Sequence, residues 1–309
     1  MSTHSDSWIL HHYEDSPYAE KIRLMFGHAG MAWQSVLSPS MPPRPNLDPL
    51  TGGYRRIPVA QIGADIFCDT ALIAAEIARH TERAEWRPDS VPDPQQALVQ
   101  HAQSAVFFSV ITSEPPLPLL KALIGKFGWR QTWRFFKDRT AMMKAATIRP
   151  PSGKDAARVV ADFLEQMDTL LADYPFLGGE SPAYADFAAI HPVTFKINLT
   201  GKGLPASLEH LKRWVTAMEA PGHGARTELD PSAAFAAAAD VEPRALPATQ
   251  EHEALGQQVA IAPVDYGLDP VSGSLAAVTP ERYIVARDTD AFGLLHVHFP
   301  RGGYQLTPL

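Results

Sequence analysis

The chain has 309 residues, of which 45% are hydrophobic and 9% aromatic, so it can bury a full core in two or more domains, and this composition argues against wholesale disorder. Its formal net charge is −7 and its basic residues form no stripe, so no nucleic-acid partner is expected. No apolar run approaches the roughly 18 residues of a spanning helix, and the first residues lack a signal-peptide pattern, so no membrane partner is expected either. The single cysteine, Cys68, cannot form an intramolecular disulfide, which predicts a reducing, cytoplasmic location.

Residues 1–83 alternate short apolar runs with helical patterns. Strands are predicted over residues 8–13, 33–37, 57–62 and 66–68, the last two joined as a hairpin by a glycine-containing turn. A polar N-cap suits the first turn of a helix, so Ser16-Pro17 predicts one helix start and Asp69-Thr70 predicts another. The order β-α-β followed by β-β-α predicts one small mixed sheet with helices on its faces.

The rest of the chain divides into three parts. Residues 93–220 carry helical patterns throughout and predict an all-helical bundle. An aromatic stripe at helical spacing, formed by Trp129, Trp133 and Phe136, is a candidate lining for a substrate cleft between the domains, but such a stripe is more often in the core, which is the expectation here. Residues 221–250 are rich in alanine and proline and are interpreted as a linker. Residues 251–309, the C-terminal extension, contain short β-like runs and predict a small β-rich unit, which we expect to pack on the helical domain.

Ser16 stands at the predicted junction between the first strand and the first helix. The oriented amides of a helix N-terminus favour an anion, and a thiolate placed there also gains a hydrogen bond from a nearby hydroxyl. The simpler interpretation is that Ser16 is only an N-cap, which is the commoner role for a serine taken alone.

Two further segments carry groups suited to an extended, charged ligand. If the Ile57–Pro58 bond is cis, the backbone of Ile57 turns outward to pair with a ligand, and Arg56 can meet a carboxylate; a trans bond is the more usual case. Asp69 can receive an ammonium group, while the Thr70 hydroxyl and the free helix amides can receive a carboxylate. Helix capping is again the simpler interpretation.

The order and spacing of these segments closely resemble the glutathione-binding half of cytosolic glutathione transferases. The resemblance lies in Ser16-Pro17-Tyr18, Ile57-Pro58-Val59, the hairpin and Asp69-Thr70, and it is closest to the serine-type members. It implies a thioredoxin-like α/β domain over residues 1–83, followed by an all-α transferase domain over residues 93–220. In contrast to the family, which usually has Glu-Ser, the chain has Asp69-Thr70, and Ala183 replaces the usual capping hydroxyl three residues before Asp186.

The resemblance also implies roles for individual residues. Ser16 would be the catalytic hydroxyl, with Tyr13 as the alternative because several transferase classes use a tyrosine in that neighbourhood. Five residues would hold glutathione, namely Arg56, Ile57, Pro58, Asp69 and Thr70. Glutathione would be a consumed co-substrate rather than a permanent cofactor. No metal is expected, because His296 and His298 share a strand face without a third ligand.

The first functional hypothesis is therefore a glutathione transferase of the detoxifying kind. Its second substrate would be an electrophilic, apolar or aromatic small molecule lying between the domains. The alternative is a non-catalytic binding or scaffold protein, since this fold hosts both. Reduction of mixed disulfides ranks lower, because position 16 holds serine rather than cysteine. A homodimer is compatible with the resemblance.

Overall fold

The computed structural model of the protein describes residues 7–309, apart from the side chains of residues 116, 118, 119, 122 and 126. The strands are β1 (Ile9–His12), β2 (Ala32–Leu37), β3 (Val59–Ile62), β4 (Asp65–Cys68), β5 (Ala225–Glu228), β6 (Gln258–Pro263), β7 (Val271–Val278), β8 (Arg282–Thr289), β9 (Gly293–Pro300) and β10 (Tyr304–Pro308). The helices are α1 (Pro17–Ala29), α2 (Asp48–Thr51), α3 (Thr70–His80), α4 (Asp93–His101), α5 (Phe107–Ser113), α6 (Pro116–Ala145), α7 (Gly153–Leu170), α8 (Tyr184–Thr200), α9 (Glu209–Glu219) and α10 (Pro231–Ala239).

The first domain has the predicted thioredoxin-like arrangement. Strand β1 pairs in parallel with β2 and antiparallel with β3, and β3 forms the predicted hairpin with β4. Helices α1 and α3 pack against each other on this sheet. The four strands predicted here all exist, with ends that differ from the prediction by one or two residues.

The C-terminal extension continues this sheet, and its contacts with the helical domain are fewer, among them a hydrogen bond from the Thr147 amide to the Asp265 carbonyl and the ring contact of Tyr266 with Phe108. Strand β9 pairs in parallel with β4, with Ile66 opposite Val297, so β6 to β10 and the first domain form one ten-stranded sheet of order β10-β6-β7-β8-β9-β4-β3-β1-β2-β5. The β-rich nature of the extension is confirmed, but its apolar residues pack mainly with the first domain rather than with the helical domain. Strand β4 would otherwise be an uncovered edge of a small sheet, and pairing removes that edge.

Residues 221–250 are also more ordered than a linker. Strand β5 adds to the far edge of the sheet beside β2, and helix α10 follows it, with Asp230 as its N-cap. Ala234 of this helix packs against Ile9 and Val36. Small alanine side chains let the helix approach the sheet closely, and alanine is the strongest helix former. Alanine content therefore indicated a helix here, not a flexible connection.

Helices α4 to α9 form the predicted helical domain. Its core contains Phe163, Phe187 and Trp214, all buried. Buried Asp186 takes the place of a hydroxyl cap by accepting hydrogen bonds from several donors, which are the amides of Leu177, Gly178 and Ala183 and the indole of Trp214. The predicted aromatic core stripe was wrong: Trp129, Trp133 and Phe136 on α6 are exposed.

Among the described residues, no helix is both long enough and apolar enough to cross a membrane.

Candidate glutathione site

Ser16 lies where strand β1 passes into helix α1. Its Oγ accepts a hydrogen bond from the Ala19 amide at 3.2 Å, and the residue is only 1% exposed. Within the described part of the chain, no acceptor takes the hydrogen of this hydroxyl. The side chain therefore caps the helix and keeps one hydrogen to donate.

Tyr13 belongs to the same turn. Its carbonyl accepts a hydrogen bond from the Ser16 amide at 3.1 Å, and its half-buried ring packs against the apolar core that the first domain shares with the C-terminal extension. Both candidate residues thus lie at the junction of β1 and α1.

Asp69 and Thr70 lie at the N-terminus of helix α3. Asp69 caps it by accepting a hydrogen bond from the Ala71 amide at 2.9 Å. Its backbone has φ 78° and ψ 138°, a conformation that L-residues other than glycine rarely adopt. Strained residues of this kind concentrate at functional sites, because the surrounding structure must hold them in place.

The segment before strand β3 has the predicted geometry. The Ile57–Pro58 bond is cis. Among the described residues, neither the amide nor the carbonyl of Ile57 has a hydrogen-bond partner. Arg56 lies beside Asp69, with 3.7 Å between Nη1 and Oδ2. All five predicted ligand-holding residues thus lie at the start of β3 or of α3. Among them, Arg56 and Asp69 meet directly.

The C-terminal extension contributes three side chains to this place. Asp265 forms an ion pair with Arg56, the guanidinium lies 4.1 Å from the ring centre of Tyr266, and the Tyr304 hydroxyl donates to Asp69 at 3.0 Å. Burial raises the pKa of Tyr266 and the pKa of Tyr304, so both hydroxyls stay protonated at neutral pH. The two charged side chains predicted to hold glutathione are therefore already partnered from within the chain.

Two sequence models of known families match the chain. Residues 10–85 match the glutathione S-transferase N-terminal domain, and residues 135–221 match the glutathione S-transferase C-terminal domain, in the same order and on the same two domains as in the structure. The chain belongs to the glutathione S-transferase family. No curated protein shows significant similarity to it.

Solved structures extend this comparison. A GST-like protein from Pseudomonas syringae is 29% identical, with a TM-score of 0.74 over 98% of this chain and 100% of that chain. A delta-class glutathione transferase from Nilaparvata lugens is 16% identical over 70% of this chain and 90% of its own, with a TM-score of 0.46. A glutathione S-transferase from Sinorhizobium meliloti is 14% identical over 69% and 88%, with a TM-score of 0.47. The Pseudomonas syringae match is long enough to include the C-terminal extension.

Behind the two helix N-termini, this transferase-family protein holds a buried lysine. Lys21 is fully buried, and its Nζ donates to the Tyr184 hydroxyl at 2.9 Å and to Gln103 Oε1 at 3.1 Å. The same ammonium lies 3.5 Å from Thr70 Oγ1, so it joins α1 to the start of α3. Burial lowers the pKa of Lys21 to about 7, although the Asp69 carboxylate raises it. A partly neutral amine therefore lies beneath the site.

Sequence reasoning missed Lys21 and the side chains from the extension. Lys21 occupies an ordinary helical position, and its burial depends on α8, which lies more than a hundred residues away in the sequence. Tyr266 and Tyr304 reach the site only because β9 pairs with β4. No local pattern in the sequence signals either contact. The residues that were predicted are those governed by helix-capping and turn rules.

One of the two histidines of β9, His298, has a structural partner. His298 Nε2 hydrogen-bonds the buried Asp65 carboxylate at 2.8 Å, and its ring stacks on Phe67. Within the described residues, no cluster of three or more ligand-type side chains could hold a metal.

Proposed function

We propose that this protein is a glutathione-dependent transferase that joins the sulfur of glutathione to an electrophilic, apolar or aromatic small molecule. The observation that carries this proposal is that α1, capped by Ser16, is joined through Lys21 to the start of α3, which Asp69 caps. Two adjacent N-termini favour two anionic groups, which in glutathione are the thiolate and the γ-glutamyl carboxylate. Family membership supports the same ligand.

In this proposal Ser16 stabilises the thiolate without giving up its own proton. The hydrogen that Ser16 does not use in capping donates to the sulfur, the thiol proton passes to solvent, and the sulfur forms the new bond to carbon as the leaving group departs with its electron pair. The hydrogen bond favours the charged form over the thiol, which lowers the pKa of the bound thiol. Tyr13 is the alternative donor from the same turn.

The γ-glutamyl end is proposed to bind at α3. Asp69 receives the ammonium group, the Thr70 hydroxyl and the free amides of the first turn receive the carboxylate, and the unpaired backbone of Ile57, next to Pro58, meets the peptide. Arg56 receives the glycine carboxylate. Since Asp265 and Tyr304 already partner these charges, glutathione must exchange with them, and the extension adjusts as the ligand binds.

A second candidate function is glutathione binding without efficient chemistry. It is favoured by two observations: Ser16 is 1% exposed, and Arg56 is paired with Asp265, so the site is covered and its arginine is neutralised. In either case we place the protein in the cytoplasm, with detoxification as its role if it is catalytic, and we consider a homodimer compatible with the family.

The test is ultraviolet thiolate absorbance of bound glutathione as a function of pH. In the native protein we expect the thiol pKa to fall below its free value. Ser16→Ala should reduce the ionised fraction roughly tenfold to a hundredfold, since a hydrogen bond to a charged group contributes about 1.5–3 kcal/mol, and glutathione affinity should remain nearly unchanged.

Tyr13→Phe is the matched variant, because it removes the other hydroxyl of the same turn. A shift caused by Tyr13→Phe and not by Ser16→Ala would assign the role to Tyr13. Glutathione that binds with an unchanged thiol pKa would contradict the enzyme and favour the binding protein. The absence of glutathione binding would contradict both.

A further inference from the structure

Helix α6 differs in charge from the rest of the chain. It contains seven lysine or arginine residues and one aspartate, a formal net charge of +6 in a chain whose total is −7. The helix spans 30 residues, and Gly128, with φ 75°, divides it by a kink. From its charge, its exposed aromatic residues and its peripheral position, we propose that α6 binds the surface of an anionic phospholipid bilayer.

One side of α6 holds the helix to the protein. Asp138 forms an ion pair with Arg55 at 2.6 Å, Arg139 donates to the Ser40 carbonyl at 3.0 Å, and Thr132 is buried. These anchors lie on the same half of the helix, so the opposite half faces solvent.

The solvent side carries an apolar stripe. Trp129, Trp133 and Phe136 follow one another at spacings of four and three residues, which places them on one helical face. The two indoles are 66% and 61% exposed. Before the kink, Leu117 and Ile124 are also exposed, seven residues apart and so on one face of their own segment. Exposed aromatic and aliphatic side chains in a row are uncommon on a monomer and mark an interaction surface.

A basic stripe, contrary to the expectation from the sequence that the basic residues form none, runs beside the apolar one. Arg130, Arg134 and Lys137 are exposed and follow the same spacing, each offset by one residue from an aromatic neighbour. The guanidinium of Arg130 lies 5.4 Å from the ring centre of Trp129, and the ammonium of Lys137 lies 5.4 Å from that of Trp133. Aromatic rings inserted at the headgroup level, with lysine and arginine beside them, are the pattern of a helix that lies in the plane of a membrane interface.

The charge and the apolar residues of this face of α6 favour a bilayer over other partners. A two-fold dimer formed through this face would bring two helices of charge +6 together, which like-charge repulsion disfavours. A nucleic acid would use the basic stripe, but the aliphatic Leu117 and Ile124 would remain in water. An anionic bilayer satisfies both stripes at once, because the headgroups pair with the basic side chains and the interface takes the apolar ones. This surface binding differs from a membrane span and does not depend on the proposed transferase function.

The experiment uses the full chain and the two exposed tryptophans as reporters. The other four, Trp8, Trp33, Trp86 and Trp214, are buried. With vesicles of equal parts phosphatidylglycerol and phosphatidylcholine, we expect cosedimentation, a blue shift of tryptophan emission and protection from acrylamide quenching. Vesicles of phosphatidylcholine alone should bind the protein roughly tenfold more weakly, and an ionic strength of about 0.5 M should release it from anionic vesicles.

Two paired variants separate the two stripes. Arg130→Gln with Arg134→Gln should weaken partitioning to anionic vesicles by roughly tenfold or more. Its matched control is Lys154→Gln with Arg158→Gln, which makes the same charge change at the same spacing on the exposed side of α7 and should have little effect. The double variant Trp129→Ala with Trp133→Ala should abolish cosedimentation. Its control is Leu170→Ala with Tyr174→Ala, which removes two exposed apolar side chains away from α6 and should leave cosedimentation unchanged.

Three results would overturn the proposal. The first is no binding to anionic vesicles by the folded native protein. The second is binding that the α7 control variant weakens as much as the α6 variant does, which would show only net-charge attraction. The third is protection of Trp129 and Trp133 from acrylamide without vesicles, together with a dimer in sedimentation velocity or with retention on single-stranded RNA, since the face would then be covered by another partner. Circular dichroism checks that each variant is folded.

Discussion

At the scale of single residues, Lys21 is a basic group held out of water. It is fully buried, its ammonium has three oxygen neighbours, and burial lowers its pKa from the usual 10.5 to about 7. In the unfolded chain the amine keeps its proton up to pH 10.5. Between pH 7 and 10.5 the folded state therefore binds fewer protons than the unfolded state, so the Lys21 contribution to stability rises with pH.

We predict that the native protein gains stability relative to Lys21→Met as the pH rises from 7 to 9. The gain in the free energy of unfolding should be about 2 kcal/mol, since each pH unit contributes about 1.4 kcal/mol once the folded amine is neutral. Urea unfolding of both proteins at the two pH values measures it. Lys154→Met, at an exposed position, is the control and should show no such trend. If the difference in the free energy of unfolding between the native protein and Lys21→Met did not change with pH, the buried amine would have its usual pKa.

The two roles of Asp69, capping α3 and carrying a negative charge, can be tested separately. Asparagine tolerates a positive φ and can still accept the hydrogen bond from Ala71, so Asp69→Asn removes the charge and leaves the cap. If the γ-glutamyl ammonium binds here, we expect the glutathione Kd to rise roughly fivefold to a hundredfold, or about 1–3 kcal/mol, with the unfolding temperature nearly unchanged. Calorimetric titration measures the Kd.

Asp265→Asn is the matched control for the Asp69 prediction, because it removes a carboxylate that is paired with Arg56 rather than aimed at the ligand. Glutathione affinity should be unchanged or tighter in this variant. Unchanged affinity in Asp69→Asn, with weaker affinity in Asp265→Asn, would place the γ-glutamyl end away from α3.

At the scale of elements, local rules predicted what local contacts determine. Ser16 and Asp69 cap their helices as their residue types indicate, and the runs of apolar residues in the extension became strands. The prediction of a linker over residues 221–250 was wrong because the strand and helix of this segment are stabilised by contacts with residues distant in sequence. A Cβ on Gly27 would lie 1.9 Å from the Gly222 carbonyl, so α1 and the turn before β5 approach as closely as only glycine allows. Both glycines are visible in the sequence, but their contact depends on the tertiary fold and could not be predicted from it.

Helix α6 illustrates the opposite error. Helical spacing correctly predicted a helix around Trp129 and Trp133, but periodicity states only that these residues share a face. Whether that face meets a core or solvent depends on how the neighbouring helices are placed. The charged residues of α6 were the available signal, because seven basic side chains on one helix leave little of its surface suited to burial.

At the scale of the whole molecule, one sheet joins the first domain and the C-terminal extension, which the sequence pattern separates. Strand β9 lies against β4, and one apolar core contains residues from both the first domain and the extension, among them Ile66, Cys68, Val297 and Phe299. The first domain and the extension are therefore separate in sequence but share one core. The extension also supplies Tyr304 to the candidate site. We expect the two parts to unfold together.

Phe299 and Cys68 allow this cooperativity to be measured. Phe299 is fully buried against Tyr54 and Tyr304, and Phe299→Ala should lower the free energy of unfolding by about 3–5 kcal/mol. Tryptophan fluorescence follows the rest of the molecule, since the extension has no tryptophan, while labelling of the buried Cys68 thiol follows the contact between β4 and β9. Burial also raises the pKa of Cys68, so the thiol is unreactive until this contact opens.

In urea, both signals should change at one midpoint in the native protein, and Phe299→Ala should move both midpoints down together. Leu294→Ala, on the same strand but 38% exposed, should move neither by much. If Cys68 became reactive at a lower urea concentration than that of the fluorescence change, the extension would separate from β4 before the domains unfold. The extension would then be an independent cover over the candidate site, and its tyrosines would leave Arg56 and Asp69 without global unfolding.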